Sequence, residues 1–207
     1  KANLPMPPAQ TESLAVVIPA RNEARSLQHL LPELRRVLAP ATEIIVVDDG
    51  STDDTVAICN ASTVRVISHP VSKGNGAAIK TGARAANADV IVFMDADGQH
   101  QPKDIERLLS KLHEGYDMVV GARQTGSHAG AHRAMANDVF SKLATWMVQQ
   151  TVEDLTSGFR AVRSAYFKQF LYLLPNGFSY PTTITMSFFR AGYSVAYVPI
   201  HAPKRTA

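Results

Sequence analysis

Short apolar runs alternating with stretches of helical spacing constrain this chain more than any other feature. Residues 14–18, 43–47, 64–67, 89–94 and 118–120 read as strands. Between them, 22–37, 53–60, 74–86 and 102–113 carry helical patterns. Leu27, Leu30, Leu31, Leu34 and Leu38 mark the apolar face of the first, and Pro32 within it predicts a kink or a late start. An aspartate caps the second helix, and Pro102 sits near the first turn of the fourth. Strand–helix alternation predicts βαβ units: an α/β, Rossmann-like, mostly parallel central sheet with helices on both faces. Farther on, 131–150 and 180–191 read as helices and 194–198 as a strand, while QTGSHAGAH at 124–132 has no core residue and reads as a mobile loop. His128 and His132 in it read as ordinary loop residues.

With 207 residues, 45% of them hydrophobic, the chain suits a single domain over 13–207 after a loose leader at 1–12. The lone Cys59 excludes an internal disulfide framework and suits a reducing compartment. No apolar stretch reaches bilayer-spanning length. Net charge is +3 and uneven. Residues 1–102 carry nine Lys/Arg against eleven Asp/Glu, and 103–207 carry twelve against seven. Such an asymmetry fits metal binding in the first half and anion binding in the second, or a solvated surface alone.

Two predicted strands run into acid pairs, Asp48-Asp49 and Asp95-Ala96-Asp97. Ligands of open parallel sheets bind beyond the carboxyl ends of the strands. Carboxylates this close repel unless a cation lies between them. Hard oxygen donors suit Mg²⁺ or Mn²⁺ shared with phosphate oxygens. Asp53 and Asp54, by contrast, read as helix-capping and turn residues. Lys73-Gly74-Asn75-Gly76 opens the third helix with bare backbone, which serves anion binding or close packing equally. Ile79 breaks the fuller dinucleotide glycine pattern. Phe178, Tyr180, Phe188, Phe189 and Tyr193 read as a core stripe rather than a lipid contact.

Six motifs occur in order: VVIPARNE, VVDDGSTDDT, KGNGAAIKTG, VFMDADGQHQP, GAR and DLTSGFRAV. Together they resemble family 2 glycosyltransferases of the GT-A fold, most of all the dolichol- and polyprenyl-phosphate sugar synthases. The resemblance spans residues 14–205. It implies that Pro19, Arg21 and Glu23 meet the nucleotide base and ribose. Asp48 and Asp49 would hold the nucleoside. Asp95, Ala96 and Asp97 form an Asp-x-Asp motif, with Asp95 and Asp97 as the metal residues and Asp97 as the direct ligand of Mg²⁺ or Mn²⁺. Gln99 would lie near the sugar diphosphate, and Arg123 and Arg205 would face phosphates. Asp154, Ser157 and Arg160 fall in the segment that closes the acceptor side, where Arg133 joins Ser157 and Arg160 as acceptor-binding residues.

The resemblance implies inverting transfer from a GDP- or UDP-linked sugar to a polyprenyl phosphate. Asp97, Arg123 and Asp154 are then the catalytic candidates. With a lipid phosphate as acceptor no strong base is needed; with a hydroxyl acceptor Asp154 becomes the candidate base. Among the basic residues of the second half, Arg133, Arg160, Arg163 and Lys168 are candidates to hold the acceptor phosphate, against a solvent-facing reading that is the expectation for Lys168. The expected setting is peripheral, on the cytoplasmic face of a membrane, with no nucleic-acid partner. Members of the subgroup often continue past Arg205 with a membrane part that the sequence as given does not include. A haloacid-dehalogenase-like phosphatase shares the Asp-x-Asp-Gly strand end, but needs Thr or Val where Gln99 stands. A nucleotidyltransferase lacks its opening glycine-arginine loop here, and a non-catalytic sugar-nucleotide module would use the same residues.

Overall fold

The computed structural model describes residues 12–123 and 152–201. Seven strands form one sheet: β1 (Leu14–Ala20), β2 (Glu43–Asp48), β3 (Arg65–Ser68), β4 (Val90–Phe93), β5 (Met118–Arg123), β6 (Arg160–Arg163) and β7 (Val195–Ile200). Their order is β3-β2-β1-β4-β6-β5-β7. All pairings are parallel except those of β6, which runs antiparallel to both β4 and β5. The helices are α1 (Ala24–Val37), α2 (Thr55–Asn60), α3 (Asn75–Ala85), α4 (Asp104–His113), α5 (Ser164–Gln169) and α6 (Tyr180–Arg190).

Alternate residues of each strand enter opposite cores. Val16, Ile18, Ile44 and Val46 pack with Leu27, Leu31 and Leu34 of α1 and with Leu108 and Leu112 of α4. Ala15, Val17, Ile45 and Val47 pack with Ala78 and Ile79 of α3 and with Phe167, Ile184 and Phe188 of α5 and α6. Burial on both faces is why the strands read as unbroken apolar runs. Each fully buried leucine contributes on the order of 1.5–3 kcal/mol of hydrophobic stabilisation.

The first helix begins at Ala24, two residues later than its apolar spacing suggests, because Asn22 adopts a left-handed φ of 55°. Pro32 lies inside that helix. Pro19 is tolerated in a central strand because β4 pairs with β1 only as far as Val17. Its missing N–H therefore breaks no ladder on that side. Two elements have no counterpart in the apolar pattern, β6 and α5. The core stripe also needs correction: Tyr180, Phe188 and Phe189 are buried, but Phe178 is 84% exposed. Lys168, expected in solvent, donates from Nζ to the Ala86 carbonyl oxygen at 2.7 Å. Glu12, the last residue of the expected leader, contacts Arg163 and His113. The expected loop at 124–132 and helix at 131–150 lie outside the described residues.

Candidate active site

The parallel strands deliver their carboxyl ends to one edge of the sheet, and a cleft of about 340 Å³ opens there. That volume falls within the range of small-molecule sites. Two loops forming one side are laced together. The Asn22 N–H donates to Ser51 Oγ at 2.9 Å, and the Thr52 N–H donates to Asn22 Oδ1 at 2.8 Å. The Glu23 N–H donates to Thr55 Oγ1, and the Ala24 N–H to Asp53 Oδ2. Asp53 also accepts from the Thr55 N–H and hydroxyl, a turn role; the expected aspartate cap is not formed, because the N-cap of α2 is Asp54 and its side chain makes no capping hydrogen bond. Pro19, Arg21 and Glu23 are thereby fixed on the cleft wall.

Asp49 is the hub of the second wall. Its Oδ1 accepts from His69 Nδ1 and the Lys73 N–H, each at 2.8 Å. Its Oδ2 accepts from the Ser72 hydroxyl at 2.7 Å and the Gly74 N–H at 2.8 Å. Burial pushes this carboxyl up, but the four donors outweigh burial and bring its pKa down to about 2. Ser72, Gly74 and Asn75 line the cleft beside it. Asp48 is buried, accepts from the Ser51 N–H at 2.9 Å, and is not among the cleft-lining residues.

Asp95, Ala96 and Asp97 line the same cleft. They follow directly on β4, so the strand itself aims them at the cleft. The Gln99 N–H donates to Asp97 Oδ1 at 3.1 Å, closing the turn. Behind them His100 is buried and stacks on Phe159 at 4.9 Å between ring centroids. Its Nδ1 accepts the Asp95 N–H at 3.1 Å. Burial first, then repulsion from Arg123, lowers the His100 pKa to about 4 against the opposing pull of Asp97. The imidazole is thus neutral near pH 7, and its 3.9 Å approach to Asp95 Oδ2 is not an ion pair. Gly158 presses against Asp95: a Cβ there would lie 2.9 Å from Asp95 Oδ2. Two hard carboxylates one residue apart on an open cleft fit Mg²⁺ or Mn²⁺ that shares its sphere with a phosphorylated ligand. Among the described residues no group of three or more His, Cys, Asp or Glu forms a protein-only cage.

The acceptor-side candidates are placed differently from their expected roles. Arg123, ending β5, clamps Asp154 through Nε to Oδ2 at 2.9 Å and Nη2 to Oδ1 at 3.1 Å. Asp154 also accepts from the Thr156 and Ser157 N–H groups. Burial pushes the Asp154 carboxyl up, but the Arg123 hydrogen bonds and charge prevail and lower its pKa. Such a carboxylate is a weak proton acceptor. Arg160 is fully buried; it donates to the carbonyl oxygens of Ser157 and Pro181 and to Thr185 Oγ1. Ser157 is buried as well. Both lie behind the wall that Thr156, Gly158, Tyr180 and Pro181 present to the cleft. Arg133 and Arg205 lie outside the described residues.

The structure therefore gathers Pro19, Arg21, Glu23, Asp49, Asp95, Ala96 and Asp97 at one cleft, and leaves Asp48, Gln99, Arg123, Asp154, Ser157 and Arg160 off its lining. Sequence reasoning missed His100, Gly158, Phe178 and Tyr180. His100 left a signal, an imidazole three residues beyond the acid pair, and Phe178 and Tyr180 were read as core stripe rather than as cleft lining.

A parallel sheet with one reversed strand and an Asp-x-Asp turn at the carboxyl end of β4 defines a GT-A glycosyltransferase fold. The glycosyl transferase family 2 model matches residues 15–171, and the chain belongs to that family. It is 29% identical over 210 residues to polyprenol monophosphomannose synthase of Mycolicibacterium smegmatis, covering 94% of this chain and 79% of that protein. It is 30% identical over 191 residues to dolichyl-phosphate hexose transferase of Haloferax volcanii, covering 91% and 82%. To the uncharacterized protein MJ1222 of Methanocaldococcus jannaschii it is 40% identical over 116 residues, 54% of this chain but only 47% of the relative. Among solved structures, glucosyl-3-phosphoglycerate synthase of Mycobacterium tuberculosis with Mn²⁺, UDP-glucose and phosphoglyceric acid superposes with a TM-score of 0.77. That match has 26% identity and covers 95% of this chain and 72% of the other.

Proposed function

We propose that this protein is an inverting glycosyltransferase that moves a sugar from a nucleoside diphosphate sugar to a polyprenyl phosphate. The observation that carries the reading is the cleft itself, which brings Asp95 and Asp97 together with Arg21, Glu23 and the Asp49 loop. The first wall would take base and ribose, and the diphosphate would reach the acid pair. Mg²⁺ or Mn²⁺, held by Asp97 with Asp95, would supply positive charge to the leaving diphosphate. His100 and Gly158 hold the Asp95 main chain and carboxylate in place. Arg123 would add charge from the rim while it fixes the Asp154–Gly158 segment.

The lipid acceptor is supported by the relatives whose names specify polyprenol and dolichyl phosphate. Chemistry favours it too. A phosphate is already ionised and needs positioning rather than deprotonation. A hydroxyl acceptor would need a base, and Asp154 is locked to Arg123 with a lowered pKa. Among the described residues no helix is long and apolar enough to cross a membrane. With a lipid substrate, we place the protein peripherally at the cytoplasmic membrane face.

The test is transfer of labelled sugar from GDP-mannose, UDP-glucose or UDP-N-acetylglucosamine, with Mn²⁺ or Mg²⁺ and undecaprenyl phosphate. Label extractable with lipid supports the reading. Asp97→Ala should abolish both transfer and the Mn²⁺-dependent part of nucleotide affinity. A folded Asp97→Ala variant that keeps both overturns it.

A further inference from the structure

Asp49 owes its orientation to a residue that no motif contains. His69 follows β3, and its N–H donates to the Asp48 carbonyl oxygen at 2.8 Å. The ring is buried, 7% exposed. Its Nδ1 lies 2.8 Å from Asp49 Oδ1 and its Nε2 2.9 Å from Thr81 Oγ1. An ionised carboxylate only accepts, so the Nδ1 hydrogen is assigned toward Asp49, leaving Nε2 and the Thr81 hydroxyl to pair with each other. Thr81 belongs to the second turn of α3. The chain of contacts thus runs from α3 through the imidazole to the end of β2.

The same carboxylate organises the segment that leads into that helix through Ser72, Lys73 and the N-cap Gly74. With two donors on each oxygen, Asp49 uses about all of its acceptor capacity inside the protein. We propose that His69 and Thr81 are positioning residues for the nucleotide. They hold Asp49 in the one orientation that presents Ser72, Gly74 and Asn75 to the cleft. The inference rests on the cleft being a nucleotide site, and it makes the acid at position 49 the residue that shapes the wall meeting the ligand rather than a direct acceptor for it. Truncating the imidazole removes a hydrogen bond to a charged group in a buried setting, where a lost partner is felt most.

The two ring nitrogens allow a test that a generic loss of stability does not mimic. Asparagine at position 69 can replace the Nδ1 donor, whereas glutamine can reach only toward the Nε2 partner. Titration of UDP and GDP with Mn²⁺ into the full chain, alongside thermal melting, gives affinity and stability separately. We expect His69→Ala and His69→Gln to weaken nucleotide binding by roughly tenfold, His69→Asn to stay within about twofold of wild type, and Thr81→Val to lose about two- to threefold. In turnover the loss should fall on KM for the sugar nucleotide rather than on kcat. The proposal is overturned if folded His69→Ala binds as tightly as wild type, or if His69→Asn is no better than His69→Gln. Should His69→Ala fail to fold, the Asn–Gln pair still decides it. Wild type that binds neither nucleotide overturns the parent reading of the cleft, a result distinct from unequal behaviour among the variants.

Discussion

Replacing Asp49 by asparagine tests the electrostatics of the second wall quantitatively. The amide keeps the shape but loses the charge. Whichever way it turns, its NH₂ faces two donors, His69 with Lys73 or Ser72 with Gly74. Hydrogen bonds to a charged group contribute about 1.5–3 kcal/mol each, so losing two costs roughly 3–6 kcal/mol near neutral pH. The pH dependence is sharper still. Folding lowers the Asp49 pKa from the ordinary 3.8 to about 2. A depressed carboxyl contributes its stabilisation in full above the unfolded value and loses it as pH falls through the folded one. At 1.36 kcal/mol per pH unit, the difference amounts to roughly 2–3 kcal/mol. The gap in unfolding free energy between wild type and Asp49→Asn should thus be constant above about pH 5 and shrink by about that much toward pH 2. Urea unfolding followed by far-ultraviolet circular dichroism at several pH values measures the gap directly. A gap that does not change between pH 5 and 2.5, or a cost below about 1 kcal/mol at pH 7, would refute the reasoning.

Gly158→Ala puts a methyl group 2.9 Å from Asp95 Oδ2, so the carboxylate must swing away. Mn²⁺-dependent nucleotide affinity should drop about tenfold or more with secondary structure intact, as read by titration and circular dichroism. Gly82→Ala drives a Cβ to 2.3 Å from Val17 Cγ1 at the contact of α3 with the sheet. A loss of about 1–3 kcal/mol in chemical unfolding is expected, partly recovered by adding Val17→Ala. Asp154→Asn breaks the paired contact with Arg123 and should cost about 2–3 kcal/mol. If Asp154 serves only to anchor, transfer to a lipid phosphate should fall without any displacement of its pH optimum.

Strands buried on both faces announced themselves in the sequence, because four or five apolar residues in a row have few other uses. The Asp-x-Asp turn was equally legible, since carboxylates directly after such a strand require a partner. β6 was not. Its four residues, Arg-Ala-Val-Arg, show no apolar run, and its buried first residue is an arginine whose two Nη groups donate to carbonyl oxygens that only the folded chain brings together. Arg160 therefore looked like a ligand-binding cation when it is a brace inside the wall. Phe178 misled in the opposite sense: helical spacing assigned it to the core, yet it precedes α6 and stays outside. His69 lay beyond sequence reasoning because its two partners are 20 and 12 residues away.

The reversed direction of β6 has an evolutionary corollary. β5 ends with Arg123, off the cleft lining but bonded to Asp154, and β6 enters the sheet at Arg160, two residues after the cleft-lining Gly158. The Arg123 N–H even touches Asp154, closing the neck of the intervening excursion. A stretch that departs and returns through one doorway can be lengthened, shortened or exchanged while every strand keeps its neighbours. On the proposed reading, selection can rework the stretch between Arg123 and Asp154 while β1, β2 and β4 keep Arg21, Asp49 and Asp95 where they are.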